Sequence, residues 1–194
     1  MVFRLWDGKK GKNILRYKVD YETNEMYRRW IREIQEMWIK ITGIVCDWRR
    51  WLLWGFGKIP TQMCVQHQKQ LMIRYITKKP KLEPSKELLE IVSMLWKIRK
   101  ASISEWLLDW HRRNKEWMNE RNEKGWFIHR RVRSAYHSLR RNMEYVHMYE
   151  KYGHLPKTTN SLEWKFSWLK QKLWNHRWMI TKRMQKYIEW FLND

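Results

Sequence analysis

The sequence predicts an α/β chain, a small mixed sheet followed by a long helical block. Three patterns carry that reading. The first stretch runs strand, strand, helix, strand, which excludes a simple helical bundle. From Pro84 to about Tyr152 the apolar residues recur almost wholly at helical spacing. The 194 residues are enough for one domain with an elaboration.

In chain order, VFRL and NILRYKV read as two short strands joined by DGKKGK, whose glycines suit a hairpin loop. Between Thr23 and Trp38 the apolar positions Met26, Tyr27, Trp30, Ile31, Ile34 and Met37 trace one helix. Ile39 to Cys46 is a β-rich run capped by Asp47. A short helix follows to Phe56, GFGKIP breaks it, and TQMCVQH reads as a further short strand leading into a helix. KELLEIVSMLWKI, ISEWLLDWHRRNKEWMNERN and VRSAYHSLRRNMEYVHMYEKY supply the helical block. After the loop GHLPKTTN, the segments SLEWKFSWLKQKLWNH and TKRMQKYIEWFLN predict two last helices.

Forty-one Lys and Arg against 20 Asp and Glu give a formal charge of +21, spread along the chain, which favours a polyanionic partner and nucleic acid first. Cys46 and Cys64 have no framework spacing, so a reducing, cytoplasmic setting is expected. No apolar stretch reaches the ~18 residues of a membrane span, and no signal-peptide pattern opens the chain. Tryptophan is over-represented, 16 against 7 glycines. Several stand where a chain turns: Trp38 follows a helix end, and Trp178 lies between two helical patterns, both places where glycine is usual.

The candidate chemistry begins with Asp47. At the carboxyl end of a buried strand it stands where open α/β sheets place ligand-binding groups, and it can equally cap the next helix. Glu163 is either the third position of a capping box opened by Asn160 or an acid projecting toward the sheet. Cys64 and His67 form a C-x-x-H pair with no second pair at zinc-site spacing, which fits a structural or substrate-orienting pair better than zinc. RRVRSAYHSLRR, with Arg130, Arg131, Arg133, Arg140 and Arg141, and KQKLWNHR, with Lys170, Lys172 and Arg177, interleave cations with aromatic residues. That mixture suits phosphate contact with base stacking, or else a solvated helical face. Phosphate-binding and nucleophile-elbow motifs are absent, so nucleotide hydrolysis and serine-hydrolase chemistry find no support.

Together, several stretches resemble the DDE transposases of bacterial insertion sequences, close to the Mutator-like group. ITGIVCDWRRWLLWGFGKIPTQMCVQHQ resembles the family's second-aspartate region, an apolar strand followed by D-G-R-R-G-L and then Q-x-C-x-x-H-Q. LPKTTNSLEWKFSWLKQKLWNHRWMITKRMQKYIEWFL resembles its last block, in which N-S-L-E-G opens a helix, and RYITKKPKLEPSKEL between them is similar too. The resemblance implies a ribonuclease-H-like mixed sheet with a large helical insertion, N-terminally truncated. It implies one incomplete catalytic domain over residues 1–194: a sheet-containing region over residues 1–83, the insertion over 84–155 and C-terminal helices over 156–194. It also implies that Asp47 and Glu163 are catalytic acids and metal ligands, with Cys64 and His67 as the family's motif pair. Mg2+ or Mn2+ would be the cofactor, DNA the partner, and a homo-oligomer is compatible with that reading.

Two departures modify what the resemblance implies. The family's first catalytic Asp lies ahead of the segment resembling VFRLWDGKKGKNILRYKV, and Asp7 is not its equivalent. Cleavage and strand transfer at insertion-sequence ends is therefore expected to be lost or severely impaired. The alternative is a non-catalytic basic DNA-binding protein or a non-functional remnant. The family also carries Gly where this chain has Trp48, Trp51, Trp164 and Trp178, and by extension Trp30 and Trp38. The expectation that follows is a gene whose UGA codons specify glycine.

Overall fold

The computed structural model describes the backbone of residues 2–7, 12–18, 21–47 and 50–193, and the side chains of 21–47, 52–160 and 163–191. The chain divides into two compact units, residues 1–41 with 159–194 and residues 42–158.

The first unit opens with an antiparallel hairpin, β1 (Val2–Asp7) on β2 (Lys12–Lys18), whose register slips between Leu5 and Trp6. Helix α1 (Asn24–Glu36) starts where the Thr23 hydroxyl accepts the Met26 N–H at 3.4 Å. It buries Tyr27, Trp30 and Ile34, spaced to share one face, with Tyr27 edge-on to Trp30 at 5.2 Å. Trp30 is thus a packed core side chain.

The end of α1 agrees with the sequence reading of Trp38. The Trp38 N–H bonds to the Gln35 carbonyl at 3.0 Å and the Ile39 N–H to the Ile34 carbonyl at 3.3 Å, which is a Schellman ending. Trp38 occupies its left-handed position with φ +60°, and its side chain is 96% exposed. Bulk at that site brings backbone strain and no packing. Trp38→Gly is expected to stabilise the protein by about 1 kcal/mol, read as a higher urea midpoint. Trp178 is also exposed but has no positive φ, and Trp164 is exposed within a helix. Trp48 lies outside the described residues, as does the side chain of Trp51.

The rest of this unit is α8 (Asn160–Asn175) and α9 (Thr181–Asn193), with Trp168 stacked on Phe191 at 5.0 Å. α1 and α9 both lie against β2.

The second unit holds a parallel pair, β3 (Ile44–Cys46) and β4 (Thr61–Met63), linked through α2 (Arg50–Trp54). The helices α3 (Val65–Ile76), α4 (Glu83–Ser93), α5 (Lys100–Asn119), α6 (Arg130–Val146) and the short α7 (Met148–Lys151) follow. Met63, Met72, Leu88, Leu95, Ile103, Trp110, Tyr136 and Leu139 form its core, all but excluded from solvent. Trp110 stacks on Tyr136 at 5.7 Å and donates its indole N–H to the Pro84 carbonyl at 2.9 Å.

The order of elements follows the sequence reading, but the ribonuclease-H-like mixed sheet with a helical insertion is not formed. The described strands make two separate two-stranded pairs in a mainly helical chain, and the hairpin belongs to the other unit. The run from Ile39 to Cys46 pairs only over its last three residues. Beside its unpaired stretch, the His154 ring meets the Thr42 carbonyl at 3.1 Å and Leu155 packs on Gly43. A Cβ at Gly43 would lie 2.2 Å from the tip of the Leu155 side chain and 3.2 Å from the Pro60 carbonyl oxygen, so any larger residue there would make Leu155 move.

β4 is held by helices in the same way. The buried Gln62 side chain donates to the Val146 and Met63 carbonyls, each at 2.7 Å, and accepts the Tyr149 N–H at 2.9 Å. No helix among the described residues is long and apolar enough to cross a membrane.

Candidate nucleic-acid interface

Helix α6 is amphipathic in a way that sorts its cations outward. Val132, Ala135, Tyr136, Leu139, Met143 and Val146 are buried, so Arg140 and Arg141 are left exposed. Helix α5 packs on α6 and brings His111 and Lys115 into the field of those arginines. His111 stacks on Tyr136 at 4.5 Å with the rings 12° apart, and His137 meets the same ring edge-on at 5.1 Å. Two helices therefore converge on one cationic face around a buried tyrosine.

The histidines register that convergence. Partial burial lowers the pKa of His111 below the usual histidine range, and Arg140, Lys115 and Arg133 push it further down. His137 is lowered by the same order of causes, burial first and then Arg133, Arg141, His111 and Arg140. No acid offsets this: among the described residues Lys115, Arg130, Arg131, Arg140 and Arg141 form no ion pair. Arg113 on α5 shows the contrast, held by Asp109 at 3.1 Å and Glu87 at 3.0 Å.

Phosphate placed on this face would relieve the repulsion and return both histidines toward their ordinary value. In the pH window between the lowered values and that ordinary value, binding then takes up protons. Duplex affinity is expected to be flat above about pH 7 and to rise as pH falls below about 6.5 at fixed ionic strength, with calorimetric proton uptake that disappears in His111→Gln/His137→Gln.

The turn joining α5 to α6 is ordered by its own side chains. The Asn122 carboxamide oxygen accepts the N–H groups of Lys124 and Trp126, each at 3.0 Å, and Gly125 takes φ +75°. The guanidinium groups of Arg121 and Arg133 lie over the Phe127 ring at 4.1 and 4.2 Å, and Arg133 also donates to Asn119. Arg133 is consequently half-buried and structural as much as basic. Trp126 is left largely exposed.

In the other unit, Lys172 lies over Trp168 at 5.1 Å and Arg177 over Trp174 at 5.8 Å, while Lys170 is exposed. That segment, too, offers cations beside accessible indole rings.

The acids expected to be catalytic fall in different units, Asp47 in residues 42–158 and Glu163 in the other. Asp47 directly follows β3 and is half-buried. Glu163 accepts the Thr159 hydroxyl at 2.6 Å, and its N–H bonds to the Thr159 carbonyl at 3.0 Å. Thr159, not Asn160, is therefore the residue flanking the start of α8.

Cys64 is buried at the head of α3, where its N–H donates to the Cys46 carbonyl at 2.8 Å, and His67 is half-buried one turn on. Burial, then the charges of Asp47 and Cys64, push the Cys46 thiol far up, so it is not a poised nucleophile. In this set Asp47 offers the hard oxygen that Mg2+ or Mn2+ prefers, whereas Cys64 and His67 offer a thiol and an imidazole.

The residues that hold the unit together here are ones the sequence reading passed over. Besides Gln62, the buried Gln68 accepts the Asn142 amide at 2.8 Å and ties α3 to α6. A signal for both was present, Gln62 and Gln68 beside the apolar Met63, Cys64 and Val65 in TQMCVQHQ, since a buried amide must find partners. No family model, curated protein or solved structure matches the chain.

Proposed function

We propose that this chain is a transposase-derived DNA-binding protein that holds duplex phosphates on the face shared by α5 and α6. The observation that carries the reading is the convergence of His111, Lys115, Arg133, His137, Arg140 and Arg141 without a neutralising acid. A surplus of 21 positive charges would guide any polyanion to the surface, and a concentrated unpaired face gives the phosphates a place to settle. The sequence stretches around Asp47, Cys64 and Glu163 supply the transposase element of the reading, and a cytoplasmic setting belongs to it.

The test is binding of a short duplex across a salt series, competed with an acidic protein. A steep loss of affinity with salt and a preference for DNA support the proposal. Equal competition by the acidic protein would leave only general polyanion attraction.

A second reading, metal-dependent strand cleavage, is favoured by the place of Asp47 at the carboxyl end of a parallel strand. Asp47 would then be a ligand of Mg2+ or Mn2+, whose chemistry is activation of water for in-line phosphoryl transfer. Nicking of supercoiled plasmid that needs the metal and is lost in Asp47→Ala supports it. Nicking that survives the change rejects it.

A further inference from the structure

A cavity of about 440 Å³ opens in the second unit between the α4–α5 link and α7, a size in the usual range for small-molecule sites. The link contributes Trp96, Lys97 and Arg99, α7 contributes Tyr149 and Glu150, and Lys157 closes the lining. Two aromatic rings thus share one cavity with three cations. Lys157 donates to the Trp96 carbonyl at 3.0 Å and lies over the Tyr149 ring at 4.5 Å, while Lys69 lies over the Trp96 ring at 5.8 Å. Lys97 and Arg99 are exposed and pair with no acid among the described residues.

This combination selects a ligand that is flat and anionic. Indole and phenol rings offer stacking surface, and the unpaired Lys97 and Arg99 offer phosphate contacts. Glu150 adds discrimination. Its Oε1 already accepts the Lys100 N–H at 2.8 Å, which leaves Oε2 as an acceptor for a ligand N–H group. A carboxylate accepts from the exocyclic amine of cytosine and has no donor for the carbonyl that thymine presents in its place.

We infer that this cavity binds a single unpaired nucleotide whose base carries an exocyclic amine. The base stacks on Trp96 and Tyr149, the amine donates to Glu150, and the phosphate lies on Lys97 and Arg99. The nucleotide is either an unpaired end of a DNA strand or a free mononucleotide. Only the first source rests on the DNA-binding reading.

The test uses the full chain with five probes: a blunt duplex, the same duplex with one unpaired dC or one unpaired dT, and free dCMP against dTMP. Expected are about tenfold tighter binding of the dC overhang than of the blunt end, little gain for dT, and a measurable heat with dCMP that exceeds that with dTMP. Glu150→Gln keeps an oxygen for the Lys100 N–H and presents an amide N–H₂ in place of Oε2. The base preference should therefore invert toward dT, an outcome that a purely structural Glu150 would not give. Trp96→Ala should remove the overhang gain for either base while blunt-duplex affinity stays within twofold.

Blunt binding without overhang gain and without dCMP binding overturns this inference and leaves the DNA-binding reading standing. dCMP binding that inverts in Glu150→Gln, without any duplex binding, supports the cavity and sinks the other reading. No binding of any probe, or a base preference unmoved by Glu150→Gln, overturns the inference.

Discussion

Alanine at both Arg140 and Arg141 is expected to weaken duplex binding roughly fifty-fold at about 0.1 M salt. Each phosphate neutralised on a duplex contributes close to 0.9 to the dependence of log affinity on log salt. Two lost contacts flatten that slope by about 1.8, and the loss accumulates over the decade between about 1 M and about 0.1 M. Both side chains are exposed and form no ion pair among the described residues, so folding stability should shift by no more than about 0.5 kcal/mol. Arg113→Ala is the control, because Asp109 and Glu87 already neutralise that guanidinium, and its removal should leave the salt slope almost unchanged. A titration series by fluorescence anisotropy reads both variants against the unaltered chain. Equal losses in the Arg113 variant and the double variant would point to net charge and not to a face.

Gln62→Leu is expected to cost about 3 kcal/mol of unfolding free energy. The side chain has similar bulk, so little packing is lost; what goes is the one group that serves two carbonyls and an N–H at once. Buried polar groups left without partners cost about 1–3 kcal/mol each, and the Val146 carbonyl and the Tyr149 N–H are both affected. Gln62→Glu keeps the acceptor for Tyr149 but sets a carboxylate against two carbonyls, and should be at least as damaging. Urea unfolding monitored by circular dichroism measures both.

The helices were legible because their apolar residues repeat over many turns, as with Val132, Leu139, Met143 and Val146 on α6. The sheet was misread because strand pairing is set by what lies beside a strand, which the strand's own residues do not encode. Ile39 to Cys46 has the composition of a full strand, yet His154 and Leu155, more than a hundred positions away, occupy the flank of its first half. Of the candidate interface, the α6 arginines were visible as a basic run. His111 and Lys115 were not, since only the packing of α5 on α6 brings them into the same field.

Trp38 was recognisable as a misplaced residue because helix endings have a local grammar, and Trp30 as a core residue because it falls on the apolar stripe of α1 with Tyr27 and Ile34. The start of α8 was misjudged by one residue, since Asn160 and Thr159 are both acceptable caps and only geometry separates them.

The Gln62 staple has a consequence for the order in which the second unit assembles. A three-residue parallel pair gains too little from its own hydrogen bonds to persist alone, and the amide that secures it reaches residues 84 and 87 positions later in the chain. The pair can therefore become stable only when the end of α6 and the start of α7 have arrived, after the helices between them have formed. Nucleation belongs to the local helical contacts, and the strands are recruited late. In native-state hydrogen exchange the amides of Met63 and Tyr149 should then open together with α6, as one cooperative unit, and not as a fraying edge.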